Sequence, residues 1–272
     1  FHARLAPLGF TVADETRELM RGMVSSGEVD ALVPERVWQE LLKSLNATAP
    51  RQFIQTLRQC GALARIMPEV DALFGVPQRS DYHPEVDTGL HTLMAMDQAA
   101  KLSTDPLVRF ATLVHDLGKA ETPDDVLPSH RGHEEVGVPL VEQLCERLKA
   151  PREYRDLGVM TSRWHLHTHR AQELTPKTLL KVLQGCDVWR KPERFQQFLL
   201  VCEADARGRT GFEDREYPQA AFFSRIADAA RKVDAGAIAK AGYKGKEIGE
   251  QLHRQRLTAI KAAIAEYSEA DV

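Results

Sequence analysis

Apolar residues in this 272-residue chain recur at three- and four-residue spacing, and no stretch alternates apolar and polar with period two. That pattern confines the fold to packed helices, because a half-buried strand needs a two-residue period and a helix face one of about 3.6. Gly27, Pro34, Pro50, Gly61 and Pro68 break residues 1–80 into several short helices. Pro77 to Pro84 reads as a linker into a second helical domain, 81–218, and 219–272 as a helical tail. No internal repeat or low-complexity run appears. The expected class is all-α: a helical bundle preceded by a small helical neck or body domain and followed by a helical tail.

The most unusual of the predicted helices runs over Pro106–Lys119, with proline suited to its first turn and Gly118 to its C-cap. Leu107, Ala111, Val114 and His115 fall at i, i+4, i+7 and i+8, which puts His115 on the core-facing stripe. Asp116 stands about 100° further round. A buried imidazole beside a buried carboxylate needs a strong partner, and a divalent cation is the simplest; a hydrogen-bonded histidine at a capped helix end is the other reading. Two further helices favour the cation. Asp87–Met96 reads as a helix start with His91 beside its Leu90/Met94 face. In Pro192–Asp205, Phe195, Phe198, Leu199 and Cys202 form one face, which Asp205 extends. Two imidazoles and two carboxylates suit a hard-to-borderline cation with positions left for water and substrate.

His91, then His115-Asp116 within His-Asp-Leu-Gly-Lys, then the distant Asp205 resembles the HD superfamily of metal-dependent phosphohydrolases. The resemblance implies an HD-domain helical bundle over 81–218, with His91, His115, Asp116 and Asp205 as metal ligands and phosphoester hydrolysis as the reaction. Pro34-Glu35-Arg36-Val37-Trp38-Gln39-Glu40-Leu41, Cys60–Val70, Phe74–Pro77, Asp187–Phe195 and Glu203–Gly211 extend it. Together they are similar to the C-terminal part of the bacterial tRNA nucleotidyltransferases that carry an HD domain, the multifunctional CCA-adding family. The likeness is close over 30–77 and 81–217 and looser in the tail. It implies tRNA as a partner and, as substrates, 2′,3′-cyclic phosphates, 2′-nucleotides and other phosphomonoesters. It points to Ni, with Mg for the phosphodiesterase step; the donor set alone also accepts Mn, Co, Fe or Zn. The family's Gly-rich strand-turn, paired aspartates and nucleotide-selecting motif have no counterpart here. The expectation is therefore a C-terminal piece that does not add nucleotides alone. A stand-alone HD nucleotide hydrolase and a non-catalytic tRNA-binding module are the alternatives.

Further candidates surround these ligands. His133 opens a predicted helix with apolar Val136, Leu140, Val141 and Leu144, while His165 and His169 stand at i, i+4. Some HD enzymes use such histidines for a second cation or the phosphate, and His133 is the first choice here, followed by His165 and His169. Lys119 and Arg209 are placed to reach a phosphate oxygen, or to pair with Asp124 and Asp125, and with Glu213 and Asp214, respectively. Asp116, Lys119 and His133 form the expected catalytic set. His167 has no motif support, and His2, His83 and His253 read as incidental.

The remaining composition sets limits. No run of about 18 apolar residues exists, so no membrane span is expected. The four cysteines, Cys60, Cys145, Cys186 and Cys202, are scattered and read as buried thiols of a reducing cytoplasm. The formal net charge of −3 argues against a uniformly basic surface. Residues 225–261, however, hold nine Lys/Arg against four Asp/Glu. That stretch is either a solvated helix face or a contact for tRNA phosphates, with Lys244, Lys246, Arg254 and Arg256 as candidates alongside Arg36 of the neck. Either a monomer or a homodimer is compatible with the sequence.

Overall fold

Proline stands at the head of helix after helix, where its fixed φ costs nothing and its missing N–H was unbonded anyway. In the computed structural model, which describes residues 1–270, the principal helices are α1 (Asp14–Ser25), α2 (Pro34–Leu45), α3 (Arg51–Gln59), α4 (Thr88–Leu102), α5 (Pro106–Val114) and α6 (His133–Arg147). They continue with α7 (Arg152–His169), α8 (Pro176–Gly185), α9 (Pro192–Arg207), α10 (Pro218–Arg231) and α11 (Lys246–Ala270). Shorter helical turns join them. Among the described residues there is no β-strand, only an isolated bridge between Pro77 and Asp87. The protein is all-α. Positions 271–272 of the expected tail lie outside the described residues.

The chain divides into two compact units. The first comprises Phe1–His165 and Leu200–Arg215; the second comprises Leu166–Leu199 and the chain from Glu216 onward. The core of the first unit is continuous: Trp38, Leu41, Ile54 and Met67 belong to the same cluster as Leu93, Phe110, Val141 and Leu144. Residues on both sides of position 80 thus share one interior. Within it Trp38, Phe110 and Tyr154 meet edge to face, with centroids 4.8 to 5.6 Å apart. The second unit has its own buried set, including Phe195, Phe198, Phe222, Phe223 and Ile260. All four cysteines are buried and free of disulfides.

Three details differ from the sequence expectations. Helix α5 has no amphipathic stripe, since every residue from Val108 to Lys119 is buried. Its one charged member, Arg109, donates to the carbonyls of Leu45, Ala47, Ala100 and Ser103 at 2.5 to 3.2 Å, which is how a guanidinium is tolerated there. The helix also ends at Val114, and Gly118 does not cap it; Leu117–Glu121 forms a separate 3-10 turn. Gly118 serves close approach instead, because a Cβ there would lie 2.0 Å from the His133 carbonyl oxygen. Gly208 plays the same part beyond α9: its Cβ would lie 2.5 Å from Ala95 Cα on α4. Finally, the buried faces of α4 and α6 are rotated from those expected. Leu90 and Val136 are exposed, whereas His91 and Gly137 are buried; Val141 and Leu144 are buried as expected.

Candidate metal centre

Three histidines of the centre are held by Nδ1, and each hold leaves Nε2 pointing inward. His115 Nδ1 lies 2.7 Å from the Thr112 carbonyl oxygen, His133 Nδ1 2.6 Å from that of His130, and His165 Nδ1 3.0 Å from those of Thr161 and Ser162. A carbonyl can only accept, so Nδ1 carries a proton in all three rings, and Nε2 is the nitrogen left to bind a metal. His91 Nδ1 faces a carboxylate instead, Glu85 Oε1, at 3.0 Å. The carbonyls belong to residues three or four positions back along the chain, within the helix for His115 and His165 and in the turn ahead of α6 for His133.

The inward atoms meet two carboxylates. His91 Nε2 lies 3.0 Å from Asp205 Oδ1 and 4.0 Å from Asp116 Oδ2. His115 Nε2 lies 3.1 Å from Asp116 Oδ2 and 3.7 Å from Asp205 Oδ1. The other oxygen of Asp116 faces a second pair: Oδ1 is 3.1 Å from His133 Nε2 and 3.5 Å from His165 Nε2. The structure thus brings His91, His115, Asp116 and Asp205 together, with His133 and His165 alongside, and all six are buried. They come from α4, the end of α5, α6, α7 and α9, and every one lies in the first compact unit.

Whether such a set suits a metal can be judged from its unmet polar atoms. His115 Nε2 and Asp116 Oδ1 are buried without a hydrogen-bond partner, a costly condition unless something else binds them. Imidazole nitrogens and carboxylate oxygens together are a ligand set for a borderline divalent ion. The residues fit one. Without it, charge is balanced by a proton. Burial opposes the imidazolium of His115, but Asp116 and Asp205 outweigh it and push the pKa up to about 10. Burial likewise opposes ionisation of Asp116, yet His115 and Lys119 hold that carboxyl well below its usual range. Burial pushes His165 down, against the pull of Asp116.

Lys119 is buried with its Nζ 2.7 Å from Asp116 Oδ2 and 2.8 Å from Gln78 Oε1, so its partner is neither Asp124 nor Asp125. Arg209 approaches Asp205 Oδ1 at 3.8 Å, where Glu213 and Asp214 were the expected alternatives. His169 departs from its expected pairing with His165. It belongs to the second unit, where its Nδ1 lies 3.0 Å from the Tyr217 hydroxyl. Four residues of helix turn a side chain by about 40° and advance it by about 6 Å, enough to separate two sites.

Sequence reasoning missed three neighbours. Glu85, with its side chain 3% exposed, contacts both His83 and His91 at 3.0 Å, and His83 stacks edge-on against His91. Gln78 holds Lys119. All three sit in the irregular segment between α3 and α4, where no periodicity marks a buried side. The one available signal was the His83-x-Glu85 spacing just ahead of His91.

Of the residues considered for nucleic-acid contact, Arg36, Lys244, Lys246 and Arg254 are exposed. Arg256 is half-buried, its guanidinium 3.9 Å from the centre of the Trp189 ring within the second unit. Burial lowers its pKa. One face of that cation is therefore committed to packing. No helix among the described residues is long and apolar enough to cross a membrane.

Comparison with known families matches residues 88–206 to the HD domain and residues 9–74 to the probable RNA and SrmB-binding site of polymerase A. The chain is 57% identical to the multifunctional CCA protein of Thioalkalivibrio sulfidiphilus, over 98% of this chain and 65% of that one. It is 57% identical to that of Teredinibacter turnerae, over 96% of this chain and 64% of the relative. Against the multifunctional CCA protein of Alkalilimnicola ehrlichii the identity is 55%, over 98% and 65%. The chain thus spans slightly less than two thirds of the length of these relatives.

Proposed function

The chain is a homologue of the multifunctional CCA proteins with an HD domain behind a polymerase-type neck, and from that premise we propose that it is a metal-dependent phosphohydrolase acting at the 3′ end of tRNA. It corresponds to the C-terminal part of a CCA-adding tRNA nucleotidyltransferase. Its substrates are 2′,3′-cyclic phosphates, 2′-nucleotides and other phosphomonoesters, removed from damaged ends before CCA addition, and it works in the cytoplasm. The observation that carries this reading is the convergence of His91 Nε2, His115 Nε2 and oxygens of Asp116 and Asp205 within 4.0 Å of one another in linked pairs.

In this reading His91, His115, Asp116 and Asp205 hold the ion, Ni2+ first and Mg2+ for the diester step. When bound, the ion supplies charge neutralisation for the phosphoryl oxygens and a water-derived nucleophile at neutral pH. The protein does the rest. Asp116 accepts a hydrogen bond from the attacking water and orients it. His133 and His165, beside Asp116 Oδ1, offer a place for a phosphate oxygen or a second cation. Lys119, fixed by Asp116 and Gln78, keeps its positive charge near the departing oxygen, and Arg209 adds another from the Asp205 side. The basic segment 225–261 and Arg36 would meet tRNA phosphates.

Hydrolysis of 2′,3′-cyclic AMP across Ni2+, Mn2+, Co2+ and Mg2+, for the parent chain and Asp116→Ala, tests the proposal. Turnover that depends on metal and disappears in the variant is expected. No turnover with any of the four ions would overturn it. So would strong hydrolysis of nucleoside triphosphates with none of cyclic phosphates, the behaviour of a free-nucleotide hydrolase.

A further inference from the structure

His91 is the exception among the four inward-facing imidazoles. His115, His133 and His165 each anchor Nδ1 on a main-chain carbonyl, but His91 Nδ1, in the first turn of α4, has no hydrogen-bond partner. The Asp87 carbonyl receives the His91 backbone N–H at 2.9 Å, and the Thr88 carbonyl receives the Thr92 hydroxyl at 3.0 Å. Glu85 Oε1 lies 3.0 Å from His91 Nδ1, at ion-pair distance but off hydrogen-bond alignment, and is the carboxylate placed to accept a bond from that nitrogen's proton. Glu85 is itself fixed at both oxygens. His83 Nδ1 lies 3.0 Å from Oε1, and the backbone N–H of Thr210 donates to Oε2 at 3.3 Å. Thr210 stands five positions beyond Asp205. One buried carboxylate therefore ties the ring of His91 to the segment that carries Asp205.

We propose that Glu85 is a positioning residue for the metal centre: it holds His91 in the Nδ1–H tautomer, aims Nε2 at the ion and, being anionic, strengthens that nitrogen as a donor. The inference rests on the metal-binding role proposed above for His91. A carboxylate behind a ligating imidazole raises its basicity more than a carbonyl does, and loss of such a partner weakens metal binding by about 10- to 100-fold. Glu85 touches no reacting atom.

Ni2+ titration calorimetry on the 272-residue chain separates the possibilities, with Glu85→Ala removing the acceptor and Glu85→Gln keeping an acceptor without the charge. Affinity should fall by about 10- to 100-fold in Glu85→Ala and by less in Glu85→Gln, at unchanged stoichiometry. Nitrogen NMR of the Zn2+-loaded protein, in which a diamagnetic ion leaves imidazole signals visible, should find the proton of His91 on Nδ1 in the parent and in Glu85→Gln. Unchanged affinity in Glu85→Ala, with the parent binding metal normally, overturns the inference and leaves the hydrolase reading intact. If Glu85→Ala does not fold, unchanged affinity in Glu85→Gln together with an Nε2-protonated His91 in the parent does the same. Loss of one bound ion in both Glu85→Ala and His83→Ala would make Glu85 a ligand of a separate site, and the inference fails. A parent that binds no Ni2+ and no Zn2+ removes both readings together.

Discussion

The proposed metal centre and the basic segment 225–261 both concentrate charge, in opposite ways. At the centre, His91, His115, Asp116, Lys119, His133, His165 and Asp205 are all buried, and three of their polar atoms, His91 Nδ1, His115 Nε2 and Asp116 Oδ1, have no hydrogen-bond partner. In the segment, Lys244, Lys246 and Arg254 are exposed, and Lys246 pairs with Glu250, its neighbour on the same helix, at 3.5 Å. Buried charges must be satisfied at fixed distances, so they select one small partner of defined geometry. Exposed charges keep their hydration and rotamer freedom, which suits a repeating polyanion more than a single ligand. The comparison predicts that perturbing the centre changes chemistry by large factors, while perturbing the segment changes affinity by small ones.

Asp116→Ala should produce the largest effect, because this carboxylate faces both histidine pairs and Lys119. A fall in cyclic-phosphate turnover beyond the ~100-fold that changes behind a ligand produce is expected, with tRNA binding retained in a filter assay. Equal loss of both would erase the distinction between the two regions.

Gly118→Ala comes next. It places a methyl group 2.0 Å from a main-chain oxygen, and neither the turn nor α6 can yield locally. We expect destabilisation of about 3 kcal/mol, at the upper end for overpacking, visible as a lower thermal midpoint. An unchanged midpoint would mean that the packing of Leu117–Glu121 on α6 is looser than described.

The third effect is a pH dependence. His115 is raised from 6.5 to about 10, so in the metal-free chain its protonation contributes stability that is complete below pH 6.5 and is lost as pH rises through about 10. A metal ligand must be neutral. Ni2+ binding should therefore release a proton, and the apparent affinity should rise about tenfold per pH unit between roughly pH 7 and 9. Calorimetry in buffers of different ionisation heat measures the proton directly; zero release would contradict the assigned role of His115.

The smallest effect belongs to the basic segment. Replacing Lys244, Lys246 and Arg254 with Gln should weaken tRNA binding and flatten its salt dependence by up to about 0.9 in slope per lost contact, leaving turnover of 2′,3′-cyclic AMP unchanged. Arg256→Gln should act on stability more than on the salt slope, because its guanidinium packs on Trp189.

The all-helical architecture was legible because proline, capping residues and apolar spacing agree along the chain. The meeting of His91, His115, Asp116 and Asp205 was legible from the His-Asp-Leu-Gly-Lys context and from polar groups beside apolar stripes, although the stripe read beside His91 is not the buried one. Other features were not. Helix α5 is buried all round, so periodicity could not reveal that it ends before His115 and hands Asp116 to a separate turn. Gly118 resembles a C-cap in sequence, and only the position of His133 explains it. Glu85, His83 and Gln78 lie in irregular chain, where side-chain direction follows from loop conformation and from contacts with α4 and the segment after α9. The i, i+4 spacing of His165 and His169 suggested a shared site, but only His165 reaches Asp116.

Anomalous diffraction from crystals soaked in Ni2+ puts the central assignment to its most direct test. The account predicts a peak at ordinary coordination distance, about 2.0 to 2.2 Å, from His91 Nε2, His115 Nε2 and one oxygen each of Asp116 and Asp205. A saturated crystal with its peak elsewhere, or with any of these four side chains turned away from the ion, would contradict it.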